Sequence, residues 1–420
     1  MSAHIVCVSS GSGLPIFSRK KGNTESLPFS TIGSLNGVHM FGKPMNLEIL
    51  NTLTEDYSVA WKEFHESVIL IGIASGCSVE ILTKLLDSVF NSVVLIVGLD
   101  EIKNQRNIER LKRELRVVYP VIDRLLDSLD CSDSTNKHSS DLVGLAEVIL
   151  CPENHLIQIV LDSFTECVDS MFSSILIHGK IAAATESWWT LHPDEIKLLA
   201  ALAITDNSNI SKDIPVFLPY KSPTVAFRFI ALKLISDVQL CCLCGPTPIL
   251  KDIEHSATQC FKSSADILTS AVQCHPRNFP SSCQVDNSIL GLLLLNTSHG
   301  KYMMSKNPQQ TTSKKSSSSH RLDILRTFLY QAVMSFLTTQ DFEIENGIDD
   351  QVTQKDKENN AEVNVGIETY WCSEYHKCHA MKLNDNILCV LYNSSVPNPA
   401  MRMITEKTLK CFISDKQICW

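Results

Sequence analysis

The stretch VILIGIASGCSVEILTKLLDSVFNSVV, residues 68–94, changes its hydrophobic period partway along, and this change decides the fold class. Val68–Ala74 is an unbroken apolar run of strand length. From Ser78 onward, apolar pairs recur every four residues and form one wide stripe, which predicts an amphipathic helix. Ser78 suits the N-cap of that helix and Glu80 suits its first turn. The sequence therefore predicts a strand followed directly by a long helix.

Upstream and downstream of this stretch, further elements complete one α/β unit. A Ser- and Gly-rich tetrapeptide, residues 10–13, joins the first two apolar runs and predicts a hairpin turn and not a phosphate loop, since it lacks the spacing of a phosphate loop. The other predicted elements are strands His4–Ser9, Leu14–Arg19, Leu47–Leu53 and Tyr57–Phe64, and helices Phe29–Phe41 and Asn107–Leu129. Two strands, a helix, three strands and closing helices are thus expected in this order.

The same order recurs twice, and recurrence is stronger evidence than any single element. We expect an α/β (α+β) protein of three domains, each a five-stranded, mostly antiparallel sheet flanked by helices. The later repeats include predicted helices Asp252–Val272 and Leu322–Leu337 and a predicted strand Ala380–Asn384. The expected boundaries are domain 1–130, linker 131–142, domain 143–280 and domain 281–420, with low-complexity insertions at 305–320 and 341–364.

Charge and hydropathy exclude several classes of protein. The net charge is −9, of which residues 341–363 contribute −6 through eight acidic residues and two lysines. The nearly neutral remainder argues against nucleic-acid binding, which requires dense positive charge. The first residues lack the features of a signal peptide, and no apolar run approaches the roughly 20 residues that span a bilayer. We expect a protein that is cytoplasmic, not secreted and not membrane-embedded.

Sixteen cysteines are too few for a disulfide scaffold in a chain of 420 residues. Several occupy positions typical of small hydrophobic residues, such as Cys7, Cys167 and Cys389, so we expect buried reduced thiols. Two groups could instead bind a metal: Cys241, Cys242 and Cys244, and the set Cys372, His376, Cys378 and His379. Buried thiols are the preferred interpretation of the first group, and a metal or cofactor site in the second is the weaker alternative.

No nucleophile elbow, HExxH motif or kinase signature is present, so we predict no catalytic residue, no metal and no cofactor. Trp188 and Trp189 end a predicted strand and could pack in the core or contact a partner, with core packing preferred.

Several segments resemble the Fuzzy family of planar-polarity effectors, whose members are built from three longin domains. The segments that carry the resemblance are residues 27–42, Trp61–His65, Val97–Glu101, Asn107–Lys112, Ala183–Trp189, Pro215–Pro219 and Ile289–Leu295. The resemblance implies three longin-like domains and a non-catalytic subunit that pairs with an Inturned-like tri-longin partner and a Fritz-like partner. It also implies a role in ciliogenesis and ciliary protein transport at the basal body and cytoskeleton.

The resemblance further implies that this pair could form an exchange-factor platform for a Rab-type small GTPase. An alternative is a vesicle-trafficking adaptor that binds cargo or coat proteins without contacting a GTPase. The helix Phe29–Phe41 is the candidate contact surface, since Gly37 would allow close approach, and a core helix is the competing interpretation. The candidate partner or GTPase interface comprises Ser34, Leu35, Asn36, Gly37, Val38, His39, Phe41 and Trp61.

Basic residues also recur at helical spacing after residue 100. They could meet a phosphoinositide membrane surface or an acidic partner. The competing interpretation is a solvated helix face with pairs four residues apart, such as Glu109 with Arg113. The candidate face comprises Lys103, Arg106, Arg110 and Arg113.

Overall fold

The computed structural model of the chain contains three α+β units in succession, which confirms the predicted fold class. It describes residues 2–22, 24–104, 107–129, 142–205, 211–306, 308, 318–337, 367–415 and 420. Most of the predicted linker at 131–142 and the whole insertion at 341–364 lie outside the described residues. Within the described part of the chain, no helix is both long and apolar enough to span a membrane.

The first unit is an antiparallel sheet of strand order β2-β1-β5-β4-β3 with helices on both faces. Its strands are β1 (Ala3–Ser9), β2 (Pro15–Lys21), β3 (Asn51–Leu53), β4 (Ser58–Phe64) and β5 (Val68–Ala74). Its helices are α1 (Phe29–Gly42), α2 (Val79–Val97), α3 (Leu99–Lys103), α4 (Ile108–Glu114) and α5 (Tyr119–Asp127). The predicted cap is confirmed, because the Ser78 side chain accepts a hydrogen bond from the backbone N–H of Ile81.

Two predictions for the first unit are wrong in extent. Strand Leu47–Leu53 is reduced to the three residues of β3, because Pro44 and its neighbours form a short 3-10 turn after α1. The predicted helix Asn107–Leu129 is broken into α4, a 3-10 turn and α5. Pro120 explains the break, since it has no N–H for a continuous helix and is tolerated only in a first turn.

The second unit repeats the topology with strand order β8-β7-β11-β10-β9. The elements are β6 (Ala146–Glu147), α6 (Asn154–Val168), β7 (Phe172–Ile177), β8 (Lys180–Ala184), α7 (Pro193–Ala203), β9 (Lys212–Leu218), β10 (Ser222–Ile235), β11 (Val238–Cys244), α8 (Leu250–Phe261) and α9 (Ala265–Val272). The predicted helix Asp252–Val272 is two helices, separated by a 3-10 turn at Lys262–Ser264.

The third unit has a six-stranded sheet of order β14-β15-β16-β12-β13-β6. Its elements are β12 (Ile289–Asn296), β13 (Lys301–Ser305), α10 (Ser318–Phe328), α11 (Met334–Leu337), β14 (Glu368–Cys372), β15 (His376–Leu383), β16 (Asn386–Asn393) and α12 (Asn398–Ser414). A π-helical turn, Leu329–Val333, joins α10 to α11. Strand β15 begins four residues before the predicted Ala380.

Strand β6 joins the second and third sheets, a feature that the sequence did not predict. Ala146 and Glu147 pair in parallel with β13, and the next residue, Val148, forms a parallel bridge to Ile181 of β8. A sheet edge presents unpaired backbone donors and acceptors, so this connection covers one edge of each sheet. The second and third units are therefore joined edge to edge.

Helix α2 holds the first and second units together. It packs on β4 and β5 of its own sheet and also contacts β9 and α7 of the second unit. Gly98, which follows α2, has φ +82°, and a Cβ atom there would lie 3.1 Å from the ring of Phe217. Glycine therefore both permits the left-handed backbone and lets the second sheet approach.

Candidate functional site

Helix α1 lies on the face of the first sheet opposite α2. Beneath it are buried side chains of three strands, including Val6, Val59 and Ile71. Trp61 is only 4% exposed, and its indole N–H donates to the Leu35 carbonyl at 3.1 Å. His39 is 1% exposed. Of the predicted interface residues, Trp61 and His39 therefore support α1 from below and do not reach its surface.

The outward face of α1 contains small and apolar residues. Ser34, Gly37, Val38 and Phe41 are exposed, with Phe41 at 73%, whereas Leu35 and Asn36 are half-buried. A Cβ atom at Gly37 would meet nothing within 4 Å. Gly37 lies inside α1 and not at either end of the helix. The structure thus brings four of the predicted residues together on one open helix face.

This open face continues along the chain into β3. Met45, Leu47, Leu50 and Leu53 are all more than half exposed, and Leu53 reaches 66%. Contiguous exposed apolar residues mark interaction sites in soluble proteins, and β3 is an edge strand with one unpaired side. We call this the α1–β3 surface, defined by Gly37, Val38, Phe41, Met45, Leu47, Leu50 and Leu53.

Sequence reasoning missed the second half of the α1–β3 surface because it assigned all of residues 47–53 to a strand. The available signal was the pair Gly42 and Pro44, which ends a helix and delays the next strand.

A polar cluster fixes the C-terminal end of α1 to the sheet. Glu63 of β4 accepts hydrogen bonds from Lys43, at 2.8 Å, and from the Ser10 hydroxyl. His39 Nε2 lies 3.9 Å from the Glu63 carboxylate. Burial by itself would raise the pKa of Glu63, but the bonds from Lys43 and Ser10 outweigh it and the pKa is lowered. The carboxylate is therefore held in its charged form beneath the α1–β3 surface.

Helix α7 is the counterpart of α1 in the second unit, and it is covered. Its buried residues Ile196, Leu198 and Leu199 belong to the same core as α2 and α5. Asp194 accepts hydrogen bonds from Ser88 Oγ at 2.7 Å and from Asn91 Nδ2 at 2.8 Å. These two donors lie on α2, so the buried carboxylate links the first two units.

Tyr220 borders this interface between the units. Its hydroxyl lies 3.0 Å from Asn91 Nδ2. Burial, followed by the charge of Asp194, raises the pKa of Tyr220 to about 12. The phenol therefore stays protonated at the edge of the contact.

The candidate metal ligands of the third unit do not converge. Strand alternation places His376 and Cys378 on one face of β15 and His379 on the other. His379 Nδ1 lies 3.1 Å from the hydroxyl of Thr405, and Cys372 is exposed at the end of β14. Across the described residues, no set of three or more His, Cys, Asp or Glu side chains is placed to share a metal ion.

The other candidate metal group is likewise divided by strand alternation. Cys242 and Cys244 face the core beneath α6 and α8, and Cys241 faces the core shared with the first unit. All three are buried, as preferred from the sequence. Trp188 is fully buried, which agrees with core packing, whereas Trp189 is half-buried beside Lys301.

The basic face after residue 100 is partly neutralised. Arg110 Nε lies 2.8 Å from Glu114, and Lys112 lies 2.9 Å from Glu109. Lys103 and Arg113 form no ion pair with another described residue, and Arg106 lies outside the described residues. The expected partner of Glu109 was Arg113, but the structure pairs Glu109 with Lys112. A membrane or acidic-partner role for this face remains a prediction.

Comparisons with known proteins agree with the three-unit architecture. Family models described as the first, second and third Longin domain of FUZ, MON1 and HPS1 match residues 3–125, 168–262 and 288–416. Protein fuzzy homolog of Xenopus tropicalis is 35% identical over 422 residues, covering 99% of this chain and 98% of the relative.

Two mammalian relatives match over a shorter length. Protein fuzzy homolog of Homo sapiens is 37% identical over 334 residues, 78% of each chain. The Mus musculus protein of the same name is 37% identical over 332 residues, covering 77% of this chain and 78% of the relative. These matches confirm the resemblance that the sequence segments indicated.

Proposed function

Since the chain belongs to the fuzzy family of proteins with three longin domains, we propose that it is a non-catalytic subunit of a planar cell polarity effector complex. In this proposal the complex supports ciliogenesis and ciliary protein transport from the cytoplasm at the basal body. The chain pairs with an Inturned-like tri-longin protein and also binds a Fritz-like protein. Together, this chain and the Inturned-like protein form a platform for a Rab-type GTPase.

The observation that carries the proposal is the exposed α1–β3 surface. Within the same chain, the equivalent helix α7 is covered by another domain of the same fold, through α2. The α1–β3 surface presents an open small-residue position, Gly37, beside exposed Val38 and Phe41. Such a surface fits a folded protein partner, because its apolar residues gain by leaving water and its small residues allow close approach.

The mechanism of an exchange-factor platform requires no catalytic side chain. A protein that binds the nucleotide-free GTPase more tightly than the loaded form shifts the GTPase toward release of nucleotide. The shift can be no larger than the difference between the two affinities. Apolar contacts such as Val38 and Phe41 can supply this difference if they meet a GTPase segment that moves when nucleotide leaves.

The test is the rate of nucleotide release from candidate Rab-type GTPases. The rate is measured with this chain alone, with its Inturned-like partner alone and with both together. Acceleration by the pair, lost in Gly37→Trp, is the expected result. The tryptophan would project into open space, so the variant keeps its fold and blocks only close approach.

A matched control is Lys251→Trp, which places the same side chain at an exposed position of α8, in the second unit. The control must retain acceleration. Two results contradict the GTPase platform: no acceleration by an intact pair, or equal acceleration by both tryptophan variants. In the first case the chain acts as a trafficking adaptor that binds cargo or coat proteins without a GTPase.

A further inference from the structure

The third unit contains a cavity of about 350 Å³ between α10 and the hairpin of β14 and β15. One wall is formed by His320, Ile324 and Thr327, whose spacing of four and three residues places them on one face of α10. Trp371 and His376 of the hairpin form the opposite wall. Small-molecule sites in proteins have volumes of roughly 300–1,000 Å³, so the cavity is large enough for a small ligand.

Contacts within the protein fix the hairpin wall. The Ser373 hydroxyl oxygen accepts from the backbone N–H of His376 at 3.0 Å, and the backbone N–H of Ser373 donates to the His376 carbonyl at 2.9 Å. The ring centroid of Trp371 lies 6.3 Å from that of Phe328, a fully buried residue of α10. The same turn holds Tyr375, an exposed residue that also lines the cavity. The shape of the cavity is therefore set before any ligand binds.

Two imidazole rings supply hydrogen-bonding groups. His320 and His376, on the two walls, have ring centroids 6.2 Å apart. Burial, followed by the charges of His320 and Arg321, lowers the pKa of His376. The His376 ring is therefore neutral at neutral pH, and a neutral imidazole offers one donor and one acceptor.

A thiol completes the lining of the cavity. Cys378 is buried, and burial raises its pKa to about 12, so it stays protonated. It agrees with the expectation of buried reduced cysteines, whereas Cys167 of α6 is exposed and that expectation is wrong there. A protonated thiol gives the cavity no nucleophile and no metal ligand, so its lining suits reversible binding.

The charges around the cavity favour a neutral ligand. Among the described residues that line it, none is Lys or Arg, and Asp323 is the one carboxylate. An anion would therefore meet a like charge and no basic partner. A cation would meet the positive field of Arg321, which already acts on His376.

We propose that this cavity binds a small, neutral, planar heteroaromatic molecule whose ring lies against Trp371 and Tyr375 and whose edge hydrogen-bonds to His376. Flat rings gain from offset or edge-on contact with aromatic side chains, beyond the apolar area that they bury. A donor and an acceptor on the edge of the ligand match the two nitrogens of a neutral imidazole. The site lies in the third unit and does not depend on the α1–β3 surface.

The experiment uses the folded full-length chain with ¹⁵N-labelled tryptophan indoles. The probes are quinazolin-4-one, indazole and benzimidazol-2-one, which are planar and neutral and carry a donor and an acceptor. The indole resonance of Trp371 is identified by its loss in Trp371→Phe. At least one probe should move this resonance saturably, with a Kd on the order of 1 mM, as expected for a ligand of so few atoms.

Variants and a non-planar probe test the two parts of the recognition. Saturation transfer from protein to probe measures binding to each variant. Trp371→Ala should weaken binding by about tenfold through the lost ring contact, and His376→Phe should weaken it by about fivefold through the lost hydrogen bond. Cyclohexanecarboxamide has a donor and an acceptor but no flat ring, and it should bind at least about fivefold more weakly.

Tyr370→Ala is the matched control. It removes an exposed aromatic residue that neighbours Trp371 on β14 and points to the other face of the strand, so binding should be unchanged. Three results overturn the proposal: a Trp371 resonance that none of the probes moves, equal binding of cyclohexanecarboxamide, or an equal loss of binding in Tyr370→Ala and Trp371→Ala. Thermal unfolding checks that the variants keep their fold.

Discussion

Helices α1 and α7 hold the same place in their units, between the second and third strands, yet one is open and the other is covered. Val38 and Phe41 of α1 face solvent, whereas Leu198 and Leu199 of α7 are fully buried in a core that the first and second units share. The same fold position thus serves as a free surface in one unit and as an internal joint in the next. The fold class alone does not tell which role a helix has.

The two helices also differ in the exposure of their polar and small residues to solvent. Asp194 of α7 is buried and accepts hydrogen bonds from two side chains of α2. In α1, Ser34 and Gly37 stay exposed, and nothing surrounds the position of a Cβ at Gly37. A buried carboxylate is tolerated only when it is hydrogen-bonded, so Asp194 marks a permanent contact within the chain. We propose that the exposed apolar face of α1, with its small residues, is completed by contact with a second protein.

The largest expected difference between the helices concerns stability. Leu199→Ala should lower the free energy of unfolding by about 2–5 kcal/mol, because it leaves a cavity in the core that the two units share. Phe41→Ala should change it by no more than about 0.5 kcal/mol, because the ring is already in water. Denaturant unfolding of both variants measures the two changes in the free energy of unfolding. Equal losses would show that α1 is covered in the isolated protein.

A second difference lies in the buried carboxylate. Asp194→Ala should lower the free energy of unfolding by about 1–3 kcal/mol. Ser88 and Asn91 would each keep a buried donor that has lost its acceptor. The control is Asp252→Ala on the exposed first turn of α8, which should cost little. Thermal unfolding compares the two variants. A neutral Asp194→Ala would mean that the link between α2 and α7 contributes nothing to the joint.

Alanine substitution at Gly98 and at Gly37 should change the stability of the protein in opposite directions. Gly98→Ala should destabilise by about 1–2 kcal/mol, since an L-residue is strained at positive φ. Phe217 would also have to move away from the added Cβ atom. Gly37→Ala should stabilise by about 0.5–1 kcal/mol, because alanine is the better helix former and the position is open. Melting temperatures that shift in the same direction would contradict this assignment.

The smallest effect depends on pH. The pKa of Glu63 is lowered in the folded protein, so its stabilising contribution is present above the ordinary carboxyl range and is lost as pH falls through the folded pKa. Glu63→Gln should therefore be less stable than wild type at neutral pH, by less than about 1 kcal/mol, and should approach it in acid. Unfolding curves at both pH values test the sign. A gap that widens in acid would reverse the assignment of Glu63 as the charged partner of Lys43.

Local patterns predicted many of the elements correctly. Strand Val68–Ala74 and the Ser78 cap have the predicted positions, because strand and helix periods depend on neighbouring residues in the chain. The break at Pro120 was also present in the sequence and was overlooked. Strand β6 could not have been predicted, because two residues carry no period and pair only when distant strands meet.

The sequence by itself determined the order of strands and helices, the three repeats and the likeness to the fuzzy family. Each of these depends on residue type and on spacing along the chain. Only the tertiary structure decided which surfaces are open, because burial depends on which units pack together. That packing covered α7 and left α1 exposed, and it placed His39 and Trp61 beneath the α1–β3 surface.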